Sequence, residues 1–315
     1  MSIDIVLVLV ALAFAWSMGA HYTGACMGMP YATRSIGLAG ALWTMAPLTL
    51  IGAAFLSRRV LVNVGHNILV ADRLGAAPAI AIIAAAFLLT TLFTQRRIPT
   101  STIQILVFCV IGTGAALNLA VRWDTVIRLA VLWVLAPFIA FALGYVFTKL
   151  LDRVPGIATG NFAAIIGRTL VLVGGAASLA MGANDVSNAT AVFLTTGLSG
   201  PLLAGVVGGV GLAVGVLTWG RPLLDRVAFD VVRVDLVMAT AAQFVQALVV
   251  LIAVFFGYFT SMNQALIGAM AGTGFARGRE TIDKKVIVGI LSGWIIGPAA
   301  GAALGYAFGL ATRLF

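Results

Sequence analysis

The stretch Met181-Gly-Ala-Asn-Asp-Val-Ser-Asn-Ala-Thr190 places two amides and one acid, Asn184, Asn188 and Asp185, inside a long apolar part of the chain. An ionised carboxylate at bilayer depth costs roughly 2.5–3.5 kcal/mol on insertion scales, so it usually faces a cavity or a partner. In a helix, Asp185 and Asn188 would lie on one face. Asp185 is therefore the first candidate for a functional site.

The alternative interpretation of this stretch is structural. Asn and Ser side chains hydrogen-bond neighbouring helices in membranes and contribute about 0.6 kcal/mol on average. Both interpretations stay open for Ser187. For Asp185 we favour a binding role, because packing between helices seldom requires a formal charge.

The composition is that of a membrane protein. Hydrophobic residues make up 62% of the 315 residues and charged residues 9%, against roughly 25% charged in soluble domains. Several stretches are long enough to cross a bilayer as helices, and none shows the alternation of barrel strands. Residues 1–20 carry Asp4 instead of a basic start and lack a cleavage site, so we interpret them as a first span, not a signal peptide. The predicted fold class is an all-α polytopic membrane protein.

The net charge of +9 does not indicate a nucleic-acid partner. The Lys and Arg residues lie in short loops between apolar segments, where the orientation bias of membrane proteins accounts for them. Cys26 and Cys109 lie in apolar surroundings without metal-ligand spacing, so we expect them to be packing residues. The sequence predicts no organic cofactor and no metal centre other than Na⁺ at Asp185.

Ten apolar segments follow one another along the chain. They cover residues 3–20, 36–57, 74–94, 101–120 and 125–148 in the first half, and 161–182, 200–219, 235–258, 262–276 and 285–311 in the second. The segments 101–120 and 262–276 are short or interrupted by glycine and polar residues. They are full spans or re-entrant hairpins, with broken helices at the centre of the protein.

The two halves match one another in chain order. The matches are Met18-Gly-Ala20 with Met181-Gly-Ala183 and Gly52 with Gly215 at an offset of 163, Thr100-Ser101 with Thr260-Ser261 and Gly112-Thr-Gly114 with Gly272-Thr-Gly274 at 160, and Trp133 with Trp294 at 161. Several matches in the same order indicate a duplication.

The duplication predicts an architecture of two inverted repeats with about five membrane segments each. Residues 1–148 form the first repeat, 149–160 a cytoplasmic linker and 161–315 the second repeat. An odd number of crossings turns the second copy upside down, as in many secondary transporters that bind substrate near the midplane. With both termini outside the cell membrane, twelve basic residues face the cytoplasm and six face outside, which satisfies the positive-inside rule.

Hydroxyl residues open the two short segments. Thr100, Ser101 and Thr102 precede one, and Thr260 and Ser261 precede the other. The free amides and positive dipole end of a helix N-terminus suit an oxyanion. Plain N-capping would also explain each hydroxyl. Their equivalent places in the two repeats make them candidate binding residues.

The first repeat departs from the acidic motif at its matching position. Gly19-Ala-His-Tyr-Thr-Gly-Ala-Cys-Met-Gly28 has His21 where the second repeat has Asn184, and Tyr22 in place of the acid. A lone histidine in an apolar chain is more often a satisfied core residue. The alignment alone makes His21, Tyr22 and Thr23 candidates for the site.

These motifs resemble those of the inorganic phosphate transporter (PiT) family. Gly182-Ala-Asn-Asp-Val-Ser-Asn188 resembles a stretch that the family carries in each of two inverted repeats, and Pro99-Thr-Ser-Thr102 is similar to a later Ser/Thr-rich stretch. The resemblance covers nearly the whole chain. It implies cation-driven uptake of a tetrahedral oxyanion, held by the Asn and Asp residues of the motif and by the Ser and Thr hydroxyls.

Residues 14–31 are most similar to the bacterial sulfate permease branch of that family, which lacks the first aspartate. Those permeases tend to lack the second aspartate too, whereas this chain keeps Asp185. Phosphate near neutral pH still has a proton to donate to a carboxylate, whereas sulfate has none. A site with one acid instead of two therefore favours sulfate, and phosphate stays the alternative.

The predicted mechanism is alternating access, in which Asp185 binds H⁺ or Na⁺ while the anion enters beside it. An uncoupled anion channel is the alternative from another class. An intramembrane enzyme using Asp185 and His21 would need a paired-acid, zinc or nucleophile motif, and we find none, so no enzyme is predicted. A homo-oligomer is compatible with the sequence.

Overall fold

A computed structural model describes residues 2–70, 74–96, 100–157, 159–226, 234–278 and 284–314. The helices in these ranges are α1 (Ile3–Ala32), α2 (Leu38–Phe55), α3 (Arg58–His66), α4 (Ala76–Gln95), α5 (Thr102–Ala116), α6 (Trp123–Leu151), α7 (Gly160–Thr190), α8 (Val192–Thr195), α9 (Pro201–Trp219), α10 (Arg221–Arg226), α11 (Leu236–Phe255), α12 (Met262–Ala276) and α13 (Lys284–Ala311). Eight of them are long and apolar enough to cross a membrane. The chain is an all-α polytopic membrane protein.

The two long helices that carry the motifs extend further than the sequence indicates. The expected first segment ends at residue 20, but α1 continues to Ala32, beyond which Arg34 has a φ of 58°. The expected segment 161–182 likewise becomes α7, which ends at Thr190. Burial explains the extension, because every residue from 17 to 30 is buried and the polar side chains find partners inside the protein. Both motifs therefore lie within helices and not in the loops after them.

The short segments 101–120 and 262–276 form short helices. Both α5 and α12 contain 15 residues, a length of about 22 Å, which is less than the roughly 30 Å of a hydrocarbon core. Each begins inside the protein at a buried serine, Ser101 or Ser261, whose side chain caps the helix. The expected interruption at the centre of each repeat is therefore present.

In the first repeat, α4 and α5 form a hairpin whose two open ends lie together. The strand-like residues before α4 and after α5 are joined by hydrogen bonds from Val70 N to Ala120 O, 2.8 Å, and from Arg122 N to Ile68 O, 2.9 Å. The start of α4 and the end of α5 thus lie on one side of the protein. We call this side the Arg122 face.

In the second repeat, α11 and α12 form the equivalent hairpin. Arg277, just after α12, forms ion pairs with Asp235, the N-cap of α11, and with Asp152, the C-cap of α6. Hydrogen bonding to Asp152, together with the charge of Asp235, raises the pKa of the Arg277 guanidinium. These three residues define the opposite side of the protein, the Arg277 face.

The direction of α6 shows that the repeats are inverted. This helix starts beside Arg122 on one face and ends at Asp152 on the other, after 29 residues or about 43 Å. The hairpin α4–α5 therefore opens to the Arg122 face, and the hairpin α11–α12 opens to the Arg277 face. The two repeats run in opposite directions across the protein.

Contacts between the repeats are reciprocal. Gly52 of α2 packs so closely against α7 that the methyl carbon of an alanine in its place would lie 2.0 Å from the carbonyl oxygen of Leu179. The methyl carbon of an alanine in place of Gly215 of α9 would lie 1.9 Å from the carbonyl oxygen of Trp16 on α1. Gly215 lies 163 positions after Gly52, and Leu179 lies 163 positions after Trp16. Such exchange of identical contacts is the property of a two-fold interface.

The same exchange occurs between the later helices. A methyl carbon on Gly112 of α5 would lie 2.2 Å from the oxygen of Ala302 on α13, and one on Gly272 of α12 would lie 2.0 Å from that of Phe141 on α6. Each repeat therefore packs its helices mainly against those of the other repeat. Backbones approach closely at small residues, as in other membrane helix pairs.

Candidate functional site

Asn184 on α7 connects the acidic motif to the hairpin of its own repeat. Its Nδ2 donates to the carbonyl oxygen of Thr260 at 2.9 Å, and its Oδ1 accepts from the amide of Thr260 at 3.0 Å. This pair of hydrogen bonds fixes the side-chain amide and holds the chain just before α12. The backbone of Thr260 is thus satisfied without a regular helix or strand.

Asp185 is fully buried at the centre of a polar cluster. The other members of this cluster are Asn184, Asn188, Tyr22 and Thr102. Its Oδ2 accepts from Asn184 Nδ2 at 3.1 Å, and its Oδ1 accepts from Asn188 Nδ2 at 3.3 Å. The Tyr22 side chain lies near this carboxylate, close enough to interact with it electrostatically. Asp185 and Asn188 therefore share a helix face, as the sequence predicts. Polar donors surround the carboxylate, which is what a buried charge requires.

Tyr22 and Thr102 join the first repeat to this cluster. The Tyr22 hydroxyl lies 2.7 Å from Thr102 Oγ1, and Asn188 Nδ2 donates to the same oxygen at 3.2 Å. Thr102 is the first residue of α5, so the N-terminus of that helix points into the cluster. Groups from α1, α5 and α7 therefore meet at one place.

His21 lies on the other side of Tyr22, between the two hairpins. Its Nδ1 lies 2.8 Å from Thr94 Oγ1, and its Nε2 lies 3.4 Å from Asn263 Nδ2. Asn263 also donates to the carbonyl oxygen of Thr100 at 2.9 Å. Through Asn263, His21 is linked to Thr100, the counterpart of Thr260. Asn184, by contrast, bonds to Thr260 directly, so the two repeats use different hydrogen bonds at this position.

Two buried hydroxyls in this region have no hydrogen-bond partner among the described protein atoms. They are Thr100 Oγ1 and Thr260 Oγ1, at equivalent positions one residue before the caps of α5 and α12. Buried polar groups are nearly always paired, so an unpaired one requires an explanation. Here the two hydroxyls lie at equivalent places in the two repeats, each beside the N-terminus of a short helix.

The hydroxyl groups of four predicted binding residues already form hydrogen bonds within their own helices. Thr23 Oγ1 donates to Gly19 O at 2.9 Å, and Ser187 Oγ donates to Asn184 O at 2.8 Å, so both hydroxyls bond within their own helices. Ser101 and Ser261 cap α5 and α12, accepting from residues 104 and 264. Their role in binding stays a prediction, and the capping alternative holds for both serines.

Sequence reasoning missed several buried amides. Gln243 and Gln246 on α11 bond to one another, and Gln243 Nε2 donates to Ala25 O at 3.1 Å. Gln104 and Gln264 each lie three residues after a capping serine, and the side-chain oxygen of each is buried without a partner among the described residues. The available signal was the presence of amides in otherwise apolar helices, together with the equivalent Ser-x-x-Gln pattern of the two short helices.

A narrow cleft reaches the cluster from the Arg122 face. It has a volume of about 40 Å³ and passes between α3, α5 and α8 to Ser187 and Asn188. Most of its lining is apolar, including Val64, Ile68 and Leu106. Asn188 is thus the cluster residue nearest to this opening.

The sequence of each half matches the same known family. A model of the phosphate transporter family matches residues 18–166 and again residues 157–305, so the match covers most of the chain in two copies. The chain belongs to the phosphate transporter family. Membership agrees with the inverted repeats and with the polar cluster shared between them.

Relatives within the phosphate transporter family carry two kinds of name. A protein of Pyrococcus furiosus named "Putative phosphate permease" is 23% identical over 96% of this chain and 95% of its own. The sulfate permease CysP of Bacillus subtilis is 26% identical over 96% of this chain and 86% of its own. Both relatives match along nearly the full chain.

One solved structure has the same fold. It is named "The sodium-dependent phosphate transporter" and matches with a TM-score of 0.92, 21% identity and full coverage of both chains. The architecture of this member of the phosphate transporter family is therefore that of a known transporter.

Proposed function

We propose that the chain is a cation-coupled secondary transporter that imports a tetrahedral inorganic oxyanion, with sulfate favoured over phosphate. The observation that carries this proposal is the cluster around Asp185. There, the N-termini of α5 and α12 are linked to one buried carboxylate through Asn188 and Asn184. Beside each N-terminus lies an unpaired buried hydroxyl, that of Thr100 or Thr260. Hydroxyls and free amides suit the oxygens of the anion, and the carboxylate suits a cation.

The preference for sulfate rests on Tyr22. It occupies the place in the first repeat that Asp185 occupies in the second, and its hydroxyl bonds to Thr102, which also accepts from Asn188. The cluster thus has a hydrogen-bond donor where a second acid would repel a dianion. Among the described residues, the buried set contains one carboxylate, that of Asp185. The name of the Bacillus subtilis relative supports sulfate, and the phosphate permeases support the alternative, an inorganic phosphate symporter of the same fold.

The coupling ion is H⁺ or Na⁺, and Asp185 is its proposed site. Binding of either cation cancels the charge of the buried carboxylate before the anion arrives beside it. The solved structure of the same fold is that of a sodium-dependent protein, which supports Na⁺ here, and H⁺ stays the alternative. The two inverted repeats would alternately expose the site to the Arg122 face and the Arg277 face.

We further propose that the protein lies in the cell membrane with the Arg122 face outside. The N- and C-termini are then outside, and the link between the repeats is cytoplasmic, as the distribution of basic residues favours. In this orientation the ion pairs of Arg277 with Asp152 and Asp235 close the cytoplasmic ends of α6, α11 and α12. A homo-oligomer is compatible with this arrangement.

Counterflow in proteoliposomes tests the proposed function. Vesicles loaded with unlabelled sulfate are expected to accumulate labelled sulfate transiently, more strongly than phosphate-loaded vesicles accumulate labelled phosphate. Net uptake is expected to require a proton or sodium gradient, which two pH values with and without sodium distinguish. Downhill flux that is insensitive to pH and to sodium, without counterflow, would identify an anion channel instead.

Restoring the second acid is expected to change the substrate preference. In Tyr22→Asp, sulfate meets two carboxylates, so we expect its KM to rise by about tenfold or more, a change of at least about 1.4 kcal/mol. Phosphate uptake is expected to be kept or gained, because phosphate can donate a proton to the new acid. KM values for labelled sulfate and phosphate measure both effects.

Tyr22→Phe is the control for this substitution, because it removes the bond to Thr102 without adding charge. We expect it to weaken uptake of both anions alike. A Tyr22→Asp protein that is folded and keeps the original ratio of sulfate to phosphate KM would contradict the role of Tyr22 in selecting the anion.

A further inference from the structure

A polar cavity opens on the Arg122 face, separate from the cluster around Asp185. Its volume is about 320 Å³. It is lined by α3, by the start of α6 and by the segment that follows α11, through Asn63, Asn67, Arg122, Asp124, Thr125, Arg128, Leu129 and residues 256–259. Polar groups dominate its chemistry, in contrast to the apolar cleft beside Asn188.

The cavity carries a net positive charge. It contains the guanidinium groups of Arg122 and Arg128 and the carboxylate of Asp124. Asp124 pairs with Arg128 one helical turn later, so that carboxylate does not balance Arg122. Arg122 is also the N-cap of α6, whose positive dipole end faces the cavity beside it. Planar guanidinium groups and helix N-termini both bind oxyanions.

The floor of the cavity is the tip of the hairpin α11–α12. Gly257 there has a φ of 78°, and its carbonyl oxygen accepts from Asn63 Nδ2 at 2.8 Å. Three residues further along the chain, Thr260 pairs with Asn184 of the central cluster. The cavity is therefore connected to the central cluster through residues 257–260, which line one and bond to the other.

We propose that this cavity is an access site that binds the tetrahedral oxyanion, sulfate or phosphate, before it reaches Asp185. The proposal rests on the proposed function, because it places the same anion on the route to the same cluster. Arg122 supplies the main attraction for the anion. Arg128, which is ion-paired with Asp124, supplies a second and weaker contact to the anion. Release of the anion inward requires movement of residues 256–259 away from Asn63.

Thiol labelling tests the cavity directly. The two native cysteines, Cys26 and Cys109, are buried, so Asn67→Cys introduces an accessible thiol into the lining. With a neutral maleimide and purified full-length protein in detergent, sulfate or phosphate is expected to slow labelling, whereas chloride at equal ionic strength is not. The experiment is repeated with Asp185→Asn also present. Protection is expected to persist there, because the cavity does not include Asp185.

Arg122→Gln in the same background is expected to raise the sulfate concentration for half-protection by about tenfold, since it removes a charge-assisted bond. Arg313→Gln is the matched control. Arg313 is exposed on the same face, where α13 ends beside Ala116, but does not line the cavity. Arg122→Gln is also expected to raise the KM for uptake with little change in kcat, and Arg313→Gln to change neither.

The outcomes separate this proposal from the proposed function. Labelling that sulfate and phosphate leave unchanged, in a protein that transports normally, would overturn the access site alone. Protection in a protein without uptake would support the cavity and contradict the transport function. A lipid phosphate has the same chemistry as the free anion, so labelling is also measured in nanodiscs of zwitterionic and of anionic phospholipid. Protection by anionic lipid only would make this a headgroup site and overturn the proposal.

Discussion

Asp185→Asn is expected to abolish concentrative uptake while the protein stays folded. The substitution keeps the shape of a fully buried side chain and an acceptor for Asn184 or Asn188, but removes the charge that binds the coupling cation. A membrane potential of 100 mV opposes the inward passage of each negative charge by about 2.3 kcal/mol, so an uncoupled dianion is held outside by about 4.6 kcal/mol, more than a thousandfold. Cotransport of three positive charges with each dianion would carry a net positive charge inward, which the inside-negative potential favours.

The measurement is accumulation of labelled anion in vesicles with an imposed proton or sodium gradient and an inside-negative potential. Asp4→Asn provides the control, since it neutralises an exposed carboxylate in the first turn of α1. It is expected to accumulate anion normally. Full accumulation by a folded Asp185→Asn protein would contradict the coupling role, and the cation would then have to bind elsewhere.

Gly215→Ala is expected to destabilise the protein strongly. The added methyl carbon would lie 1.9 Å from the backbone oxygen of Trp16, and a backbone atom cannot move aside as a side chain can. Overpacking of this kind typically costs about 1–3 kcal/mol. The melting temperature in detergent is therefore expected to fall by several degrees. Gly52→Ala, at the equivalent contact with Leu179, is expected to have a similar effect.

Gly200→Ala is the matched control, because Gly200 is the N-cap of the same helix, α9, and a methyl carbon there meets nothing within 4 Å. Its melting temperature is expected to stay within about a degree of the unmodified protein. Equal melting temperatures for Gly215→Ala and Gly200→Ala would show that the helices separate easily at this contact, contrary to the reciprocal packing described above.

The sequence was sufficient to predict the fold and the centre of the cluster. The apolar segments, the offset of about 160 between the halves and the odd number of crossings lead to two inverted repeats, which the structure contains. The helical spacing of Asp185 and Asn188 predicts their shared face, and they are hydrogen-bonded. These predictions succeed because they depend on composition, on local periodicity and on the match between the two halves of the sequence.

Contacts between distant parts of the chain could not be predicted in the same way. Asn184 pairs with Thr260, 76 positions away, and Asn263 bonds to Thr100 in the other repeat. No local pattern specifies these partners. The same holds for the bond from Gln243 to the carbonyl oxygen of Ala25 on α1, which is 218 positions away. The bounds 1–148, 149–160 and 161–315 of the two repeats stay a prediction.

The reciprocal contacts between the repeats also restrict how the two copies can diverge. Every glycine in the contacts described above has a glycine as its counterpart, and both members of each pair face a carbonyl oxygen. A mutation to a larger residue in either copy would push apart helices from both. The central positions carry no such restriction, and there the copies differ, with His21 and Tyr22 opposite Asn184 and Asp185. A duplicated chain built in this way can exchange one ligand for another during evolution while its framework stays symmetric.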